Sequence, residues 1–285
     1  MEGLVMTTAK HSRMHSFKRA LLLLSKAYER LTHRCITVPT TTIWGSKMRV
    51  TLPEWVSSQI FLEGKVDSEL TETLFYLLKP GQTFVDIGAH IGYFSLLACH
   101  RVGNSGQVHA IEPTPSTFEV LRTNLHGRNT RVYPFALWSE PASLTFYVCD
   151  QRFSNHNSAF PSRLPFSPRR PLNPRPITVK ALKLDTLVEQ QGIEPNVIKI
   201  DAEGAELHIL RGAKHTLMKY RPIVILEIVD LGVAGFASGA QIVELMQRDY
   251  GYTPYEWREG NLEQHLSRER YNLTNLIFLP SENVP

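Results

Sequence analysis

The stretch "FVDIGAHIGYFSLLACHRVGNSGQVHAIEP", residues 84–113, contains two short apolar runs, and each run ends in an acidic residue, Asp86 or Glu112. A turn carrying Gly88 and Gly92 follows the first run, and a segment of helical length separates the two. A strand, a glycine turn, a helix and a second strand begin a parallel sheet. Because ligands of such sheets bind outside the carboxyl ends of the strands, we expect a small polar ligand beside these two acids.

The alternation of strands and helices continues along the chain. Asp201 follows the apolar run "NVIKI", and Glu227 lies near the end of "PIVILEI". The segments "YTPYEW" and "NLIFLP" are predicted to be final strands that pair antiparallel. This order predicts an α/β fold, a doubly wound and mainly parallel sheet with helices on both faces, whose carboxyl edge collects four acids.

Composition favours one large domain with a short extension. The chain has 285 residues, of which 42% are hydrophobic and 20% charged, and its net charge is +4. We predict an N-terminal basic helix and small strand extension over residues 1–65 and a catalytic domain over 66–285. The mild positive charge does not indicate a nucleic-acid binder. The three cysteines include no CxxC pair, which favours a reducing, cytoplasmic location.

Residues 1–34 carry seven basic and two acidic side chains, a net charge of 7 − 2 = +5. The apolar run "ALLLL" is far shorter than the ~20 residues that span a membrane. Leu21, Leu24, Tyr28 and Leu31 recur at helical spacing and predict one helix. This helix either packs on the main domain or makes a peripheral contact with an anionic membrane. Residues 36–52 are predicted to form a strand pair.

Residues 150–176 interrupt the predicted alternation of strands and helices. They contain six prolines and five arginines, at positions 152, 163, 169, 170 and 175. Because proline disfavours helix interiors and central strands, we predict a long loop that acts as a lid or substrate loop. Its arginines indicate an anionic or polyhydroxylated acceptor, or else a solvated loop.

The glycine turn reads G-A-H-I-G rather than G-x-G-x-x-G, because His90 stands at the second glycine position. This disfavours a dinucleotide, and no G-x-x-x-x-G-K-[ST] motif is present to cradle phosphates. Glu112 stands 112 − 88 = 24 residues after Gly88, a spacing suited to a carboxylate that binds ribose hydroxyls. A ribose-bearing ligand without a pyrophosphate indicates S-adenosylmethionine.

Four blocks together resemble the FkbM-type family of S-adenosylmethionine-dependent methyltransferases: "VDIGAHIGYFSLLA", "AIEPTPSTFEVLRTNL", "VIKIDAEGAELHILRGA" and "RPIVILEI". The third block is the most specific. The resemblance implies a class I, Rossmann-like sheet of seven strands and O-methylation of a hydroxyl on a sugar, glycolipid or other natural product. His90 departs from the family, which usually has Asn at this position.

The resemblance also implies the residues that bind S-adenosylmethionine. Asp86 would face the methionine amino group, directly or through water, and Glu112 would bind the ribose. Gly88, Gly92 and His90 of the turn would line the cofactor. Histidine, like the Asn that the family usually has at this position, can form hydrogen bonds. The segment "FALW", residues 135–138, would lie near the adenine, with Leu137 or Trp138 packing on the ring.

Asp201 and Glu203 are the predicted catalytic residues, because methyl transfer to a hydroxyl requires alignment of the acceptor oxygen and removal of its proton. His156 and His208 are alternative bases, although His208 is favoured as structural. Lys199 is expected to pair with Asp201 or Glu203, and Glu206 to contact the helix dipole. Magnesium held by acids including Glu227 is a weaker alternative, so we predict no metal.

Two other functions stay open at this point. A nucleic-acid methyltransferase is disfavoured, because enzymes that act on base nitrogens often carry an acidic or Asn residue, Pro-Pro and an aromatic residue where this chain reads "DAEG". A module that binds S-adenosylmethionine without catalysis is disfavoured by the intact acids. The expected partner is therefore a small-molecule acceptor and not a nucleic acid.

Overall fold

A computed structural model describes residues 2–160, 174–230 and 236–283 of the chain, with side chains from residue 15 onward. The chain divides into two compact units. The first comprises Met1–Asp67 and Asp150–Asn155, and the second comprises Ser68–Cys149 and His156–Pro285.

The first unit consists of two helices and a strand pair: α1 (Glu2–Thr32), β1 (Ile36–Thr41), β2 (Lys47–Leu52) and α2 (Trp55–Glu63). As the sequence predicts, β1 and β2 pair antiparallel. The carboxylate of Glu54 caps α2 by accepting hydrogen bonds from the backbone N–H groups of Val56 and Ser57. Such a cap satisfies donors that have no partner within the helix.

The second unit begins with a classical βα alternation and ends with antiparallel strands. In chain order its elements are α3 (Ser68–Leu77), β3 (Thr83–Ile87), α4 (Tyr93–Val102), β4 (Gln107–Ile111), α5 (Pro115–Leu125), β5 (Thr130–Tyr133), β6 (Ala136–Leu137), β7 (Ala142–Val148), β8 (Arg175–Leu182), α6 (Leu184–Gln191), β9 (Val197–Ile200), α7 (Glu206–Arg211), α8 (Lys214–Tyr220), β10 (Ile223–Ile228), α9 (Gly239–Glu244), β11 (Tyr252–Arg258), β12 (Asn261–Gln264) and β13 (Thr274–Pro280).

The central sheet has the order β12-β11-β13-β10-β9-β3-β4-β5. Strands β3, β4, β5, β9 and β10 are parallel, whereas β13 and β11 pair antiparallel as predicted. The Rossmann-like fold is thus confirmed. The sheet has eight strands rather than seven, because a turn at Glu259 and Gly260 folds β12 back onto β11. Strands β6, β8 and β7 form a separate three-stranded sheet.

The core lies on both faces of the central sheet. On one face, Val85 and Ile87 of β3 pack with the buried residues of α6–α9. The side chains of Phe84 and Asp86 point to the opposite face, where α4 contacts β3 and β4. Strands buried on both faces read as continuous apolar runs, which explains the apolar stretches in the sequence. Because β3, β4, β9 and β10 are parallel, their carboxyl ends meet at one edge.

The region predicted to be one long loop, residues 150–176, contains regular structure at both ends. A short 3-10 helix spans Gln151–His156, and β8 begins at Arg175, where its Pro176 pairs with Tyr147. The loop prediction is therefore wrong at its two ends, because backbone pairing with β7 outweighs the local disfavour of proline. Residues 161–173, with three of the five arginines, lie outside the described residues.

Candidate active site

The glycine turn after β3 satisfies its own backbone donors. The N–H groups of Gly88 and Ala89 both donate to the carbonyl oxygen of Ile111 at 3.0 Å, and the N–H of His90 donates to Glu112 Oε2 at 3.1 Å. Gly88, His90 and Gly92 have positive φ angles of 77°, 49° and 89°. Donors that are already paired are poorly placed to cradle a pyrophosphate, so the geometry also disfavours a dinucleotide.

Gly88 is required by the fold of the site itself. A Cβ atom on this residue would overlap the carbonyl oxygen of Asp201, because the turn after β3 lies directly against the end of β9. The N–H of Asp201 also donates to the carbonyl oxygen of Ile87 at 3.1 Å. The glycine therefore allows two strand ends to approach one another, and this brings the predicted cofactor turn and the predicted catalytic acid together.

Glu112 lies at the end of β4 and is only 7% exposed. Its Oε1 accepts a hydrogen bond from the N–H of Thr114 at 2.9 Å, while Oε2 accepts the one from His90. Burial raises the pKa of Glu112 above its usual range, although His90 and these hydrogen bonds oppose the shift. Each carboxylate oxygen has a second lone pair, so both can also accept hydrogen bonds from the hydroxyls of a ligand.

Asp86 is fully buried and linked to Lys199. Ser95 Oγ donates to Asp86 Oδ2 at 2.6 Å, and Lys199 Nζ lies 3.4 Å from Asp86 Oδ1 and 3.3 Å from Asp201 Oδ2. The predicted pairing of Lys199 with Asp201 is thus confirmed. Burial alone would lower the pKa of Lys199, but the charges of Asp201, Asp86 and Glu227 outweigh it and raise the pKa.

Three carboxylates, those of Asp201, Glu203 and Glu227, come together at the carboxyl edge. One oxygen of each lies within 4.8 Å of the others, and all three residues are half-buried. Glu206, expected to contact the helix dipole, is the first residue of α7, and its Oε1 accepts from the N–H groups of Ala202 at 3.0 Å and Gly204 at 3.1 Å. Glu206 therefore closes the turn between β9 and α7.

A polar segment after the 3-10 helix, residues 157–160, is hydrogen-bonded to both halves of this edge. Asn157 Nδ2 donates to Thr114 Oγ1 at 3.3 Å, beside Glu112, and Ser158 Oγ donates to the carbonyl oxygen of Glu203 at 2.8 Å. Ser158 is completely buried. Sequence reasoning missed both residues, since contacts this distant along the chain produce no local pattern.

Half-buried aromatic rings lie near Gly204, the residue that follows Glu203. Trp138 and His208 stack with centroids 3.8 Å apart, and Phe160 lies 4.7 Å from Phe236. The ring of Phe236 occupies the space in which a side chain at Gly204 would stand. Burial lowers the pKa of His208, and the stacking supports a structural role for it rather than that of a base.

The remaining predicted positions are Leu137, Trp138 and His156. Leu137 lies in β6 and is 3% exposed within the core, and the ring of Trp138 is engaged by His208. His156 ends the 3-10 helix. Their contacts with a cofactor or an acceptor stay predictions. In the part of the chain that the structure describes, none of the helices is both long and apolar enough to cross a membrane.

Comparison with known proteins identifies the family to which this chain belongs. The family model described as "Methyltransferase FkbM domain" matches residues 86–254, which are more than half of the chain. Hexuronic acid methyltransferase AglP of Haloferax volcanii is 30% identical over 144 residues, which cover 49% of this chain and 53% of AglP. The chain thus spans about half the length of that relative.

Two further proteins carry the same family name. The 31-O-demethyl-FK506 methyltransferase FkbM of Streptomyces tacrolimicus is 28% identical over 200 residues, covering 62% of this chain and 74% of its own. A crystal structure of methyltransferase FkbM from Methylobacillus flagellatus aligns with a TM-score of 0.43 and 15% identity, over 78% of this chain and 52% of that one. The family match begins at Asp86 and includes Glu112, Asp201 and Glu227, so the chain belongs to the FkbM family of S-adenosylmethionine-dependent methyltransferases.

Proposed function

We propose that this protein transfers the methyl group of S-adenosylmethionine to a hydroxyl of a sugar, a glycolipid or another small natural product. The observation that carries the proposal is the close approach of the Asp201 backbone to Gly88 in the turn that follows β3, together with the grouping of the Asp201 and Glu203 carboxylates. This arrangement supports the proposal, because residues whose carboxylates could take up a hydroxyl proton follow the strand end that touches the turn proposed to line the cofactor. The names of AglP and FkbM, a hexuronic acid methyltransferase and an FK506-type methyltransferase, support such an acceptor.

The charges at the edge suit this cofactor. S-adenosylmethionine carries a sulfonium and an ammonium, and Asp201, Asp86 and Glu227 supply negative charge around the buried cation of Lys199. The paired donors of the glycine turn disfavour phosphate groups. We propose that Glu112 accepts hydrogen bonds from the ribose hydroxyls. Because Asp86 is fully buried, it would act on the amino group through water or through its charge.

The cofactor, when bound, supplies the methyl group as an electrophilic carbon on sulfur. The protein has to hold the acceptor oxygen in line with that carbon and to accept its proton. We assign proton acceptance to Asp201 or Glu203. Lys199 would hold the Asp201 carboxylate in place, and Ser158 would hold the backbone at Glu203.

The aromatic rings near Gly204 support an acceptor with both apolar and hydroxylated faces. A sugar ring presents C–H groups on one face and hydroxyls at its edge. Phe160 and Phe236 could pack against the C–H face, while Glu203 reaches a hydroxyl. This arrangement follows the usual anatomy of small-molecule sites, where apolar walls surround a few polar groups.

The proposal is tested with methyl-labelled S-adenosylmethionine and a panel of acceptors. The panel should contain free hexuronic acids, neutral sugars, glycolipids, and RNA and DNA. We expect label in a carbohydrate-bearing acceptor, and we expect Glu203→Gln and Asp201→Asn to lower kcat by more than tenfold while the cofactor Kd stays within a factor of about two.

The surface variant Glu119→Gln serves as the matched control, since Glu119 is exposed and pairs only with its helix neighbour Arg122 among the contacts described. Labelling of nucleic acid instead of carbohydrate would refute the acceptor class. A parallel loss of cofactor binding in the Glu203 and Asp201 variants would move these residues from acceptor chemistry to cofactor binding.

A further inference from the structure

Asp230 joins three segments of the chain just beyond the carboxyl end of β10. Its Oδ1 accepts a hydrogen bond at 2.6 Å from the N–H of Gly239, the first residue of α9. Its Oδ2 accepts from the N–H of Tyr271 at 2.7 Å, and its own N–H donates to the carbonyl oxygen of Tyr271 at 2.8 Å. Because hydrogen bonds to a carboxylate are among the stronger ones in proteins, Asp230 fixes the start of α9 relative to β10 and to the segment before β13.

Tyr271 supports this arrangement from the interior. It is fully buried, and a Cβ atom on Gly239 would lie 2.4 Å from its ring, so α9 can begin against the ring only because residue 239 has no side chain. The Tyr271 hydroxyl accepts from the N–H of Arg268 at 3.1 Å and lies 2.9 Å from His265 Nε2. His265 Nδ1 lies 2.5 Å from Glu256 Oε1. Because an ionised carboxylate only accepts, Nδ1 donates to it and Nε2 can accept from the tyrosine hydroxyl, which gives each of these groups a partner.

Phe236 precedes α9 closely and contacts the turn between β9 and α7. A Cβ atom on Gly204 of that turn would lie 2.0 Å from Phe236 Cε1, so the ring occupies the space directly beside residue 204. Between Phe236 and α9, Ser238 begins the helix with a capping box: its hydroxyl accepts from the N–H of Gln241, and the Gln241 side chain accepts from the N–H of Ser238. Only two residues separate Phe236 from Gly239, so the position at which α9 begins limits where the Phe236 ring can lie.

We propose that Asp230 is a positioning residue for the acceptor: by fixing the start of α9, it holds the Phe236 ring beside the turn that carries Glu203. This inference rests on the proposed function, in which Phe236 packs against the acceptor while Glu203 reaches its hydroxyl. A ring that is already held in place binds the acceptor without a further cost of ordering, whereas a free ring would lose part of its binding energy to that cost. Asp230 therefore determines the acceptor KM more than kcat or cofactor binding.

Asp185 provides a matched control for a purely structural role. Like Asp230 it is half-buried, and its carboxylate accepts from two backbone N–H groups, those of His215 at 3.0 Å and Thr216 at 2.7 Å. It joins α6 to α8 instead of β10 to α9. Asparagine at either position replaces one accepting oxygen by a donor, so both variants lose the same kind of contact.

The first measurement needs no acceptor. The full chain is labelled with para-fluorophenylalanine, and the fluorine resonance of Phe236 is identified as the one that Phe236→Leu lacks. We expect Asp230→Asn to shift or broaden this resonance and Asp185→Asn to leave it unchanged. Asp230→Ser, which places no amide NH₂ against the two N–H groups, should show the same change and replaces Asp230→Asn if that variant folds poorly.

The second measurement uses the carbohydrate acceptor that the labelling panel identifies. Asp230→Asn should raise its KM on the order of tenfold, while kcat and the Kd of S-adenosylmethionine stay within a factor of about two. Asp185→Asn should leave the KM unchanged even where it lowers the urea midpoint as much as Asp230→Asn does. Asp230→Asn/Phe236→Leu should have the KM of Phe236→Leu alone, because Asp230 acts through that ring.

An unchanged Phe236 resonance in Asp230→Asn would overturn the proposal, as would equal changes in Asp185→Asn. KM effects of Asp230→Asn and Phe236→Leu that multiply in the double variant would also overturn it, since Asp230 would then act independently of the ring. Failure of every acceptor on the panel would refute the proposed function instead, and the fluorine resonance would still decide whether Asp230 fixes Phe236.

Discussion

Lys199 Nζ lies 3.4 Å from Asp86 Oδ1, and both side chains are at most 2% exposed to solvent. The two residues belong to adjacent parallel strands, β9 and β3, and Asp86 stands in register with Lys199. Because the same ammonium also lies 3.3 Å from Asp201 Oδ2, one buried cation joins the predicted cofactor acid to the predicted catalytic acid. The charge of Lys199 thereby holds both carboxylates at the carboxyl edge.

Replacement of Lys199 by methionine should destabilise the protein strongly. The change leaves Asp86 buried without its cation, and loss of one partner of a buried pair costs about 3–5 kcal/mol. Urea unfolding measures this loss directly. The double variant Lys199→Met/Asp86→Asn should recover most of it, because no uncompensated charge then remains in the interior.

A surface pair provides the comparison for that measurement. Arg122 and Glu119 pair at 2.7 Å with about 60% of each side chain exposed, and Arg122→Gln should change stability by less than about 1 kcal/mol. A loss in Lys199→Met as small as this one, or no recovery in the double variant, would contradict the view of Lys199 as a necessary counter-charge.

Glu112→Gln should weaken binding of S-adenosylmethionine by about tenfold or more. The carboxylate would lose its charge-assisted hydrogen bonds to the ribose, each worth about 1.5–3 kcal/mol. The substitution would also place the glutamine NH₂ group against the backbone N–H of either His90 or Thr114, so that two hydrogen-bond donors would face each other. Titration calorimetry with S-adenosylmethionine measures the change, and Glu119→Gln is the control at an exposed glutamate. Equal affinity in the two variants would place the ribose elsewhere.

Local patterns in the sequence were sufficient to predict the central strands and the acids at their ends. The apolar runs that end at Asp86 and Glu112 are buried on both faces of the sheet, and such strands leave a clear signal. In contrast, β12 is a short polar edge strand, and β6 has only two residues. Neither is long or apolar enough to be recognised without its partner strand.

Contacts distant along the chain could not be predicted in this way. Ser158 and Glu203 are 45 residues apart, and their hydrogen bond runs from a side chain to a backbone carbonyl, which depends on no residue type at position 203. The packing side of α1 was equally hidden. Its buried face includes Glu29, whose carboxylate pairs with Arg152, whereas Leu24, Tyr28 and Leu31 of the predicted apolar row are exposed.

Gly88→Ala should cost considerably more stability than the same change at Gly127. Both glycines have positive φ angles, 77° and 73°, so each alanine incurs the left-handed backbone penalty of about 1–2 kcal/mol. The Cβ at Gly127 would meet no atom within 4 Å, whereas that at Gly88 would overlap the carbonyl oxygen of Asp201. Thermal unfolding of both variants isolates the overlap, which should add about 1–3 kcal/mol. Equal losses would contradict the close approach of the two strand ends.

His109 should make the stability of the fold sensitive to acid. It lies in β4, is 1% exposed, and its Nδ1 is 3.0 Å from the hydroxyl of Tyr133. Burial, with a smaller effect from Arg131, lowers the pKa of His109 from 6.5 to about 4. Between these values the unfolded chain binds a proton that the folded chain does not, so stability falls as the pH falls.

The stabilisation from neutral His109 is therefore complete above pH 6.5 and is lost as the pH falls to about 4. One pKa unit corresponds to about 1.4 kcal/mol, so the total loss should be about 3–4 kcal/mol. His109→Gln, which can keep the hydrogen bond to Tyr133, should flatten this pH dependence in urea unfolding. The exposed His126→Gln controls for loss of a histidine. A slope in His109→Gln as steep as in the unmodified protein would show that other groups cause the acid sensitivity.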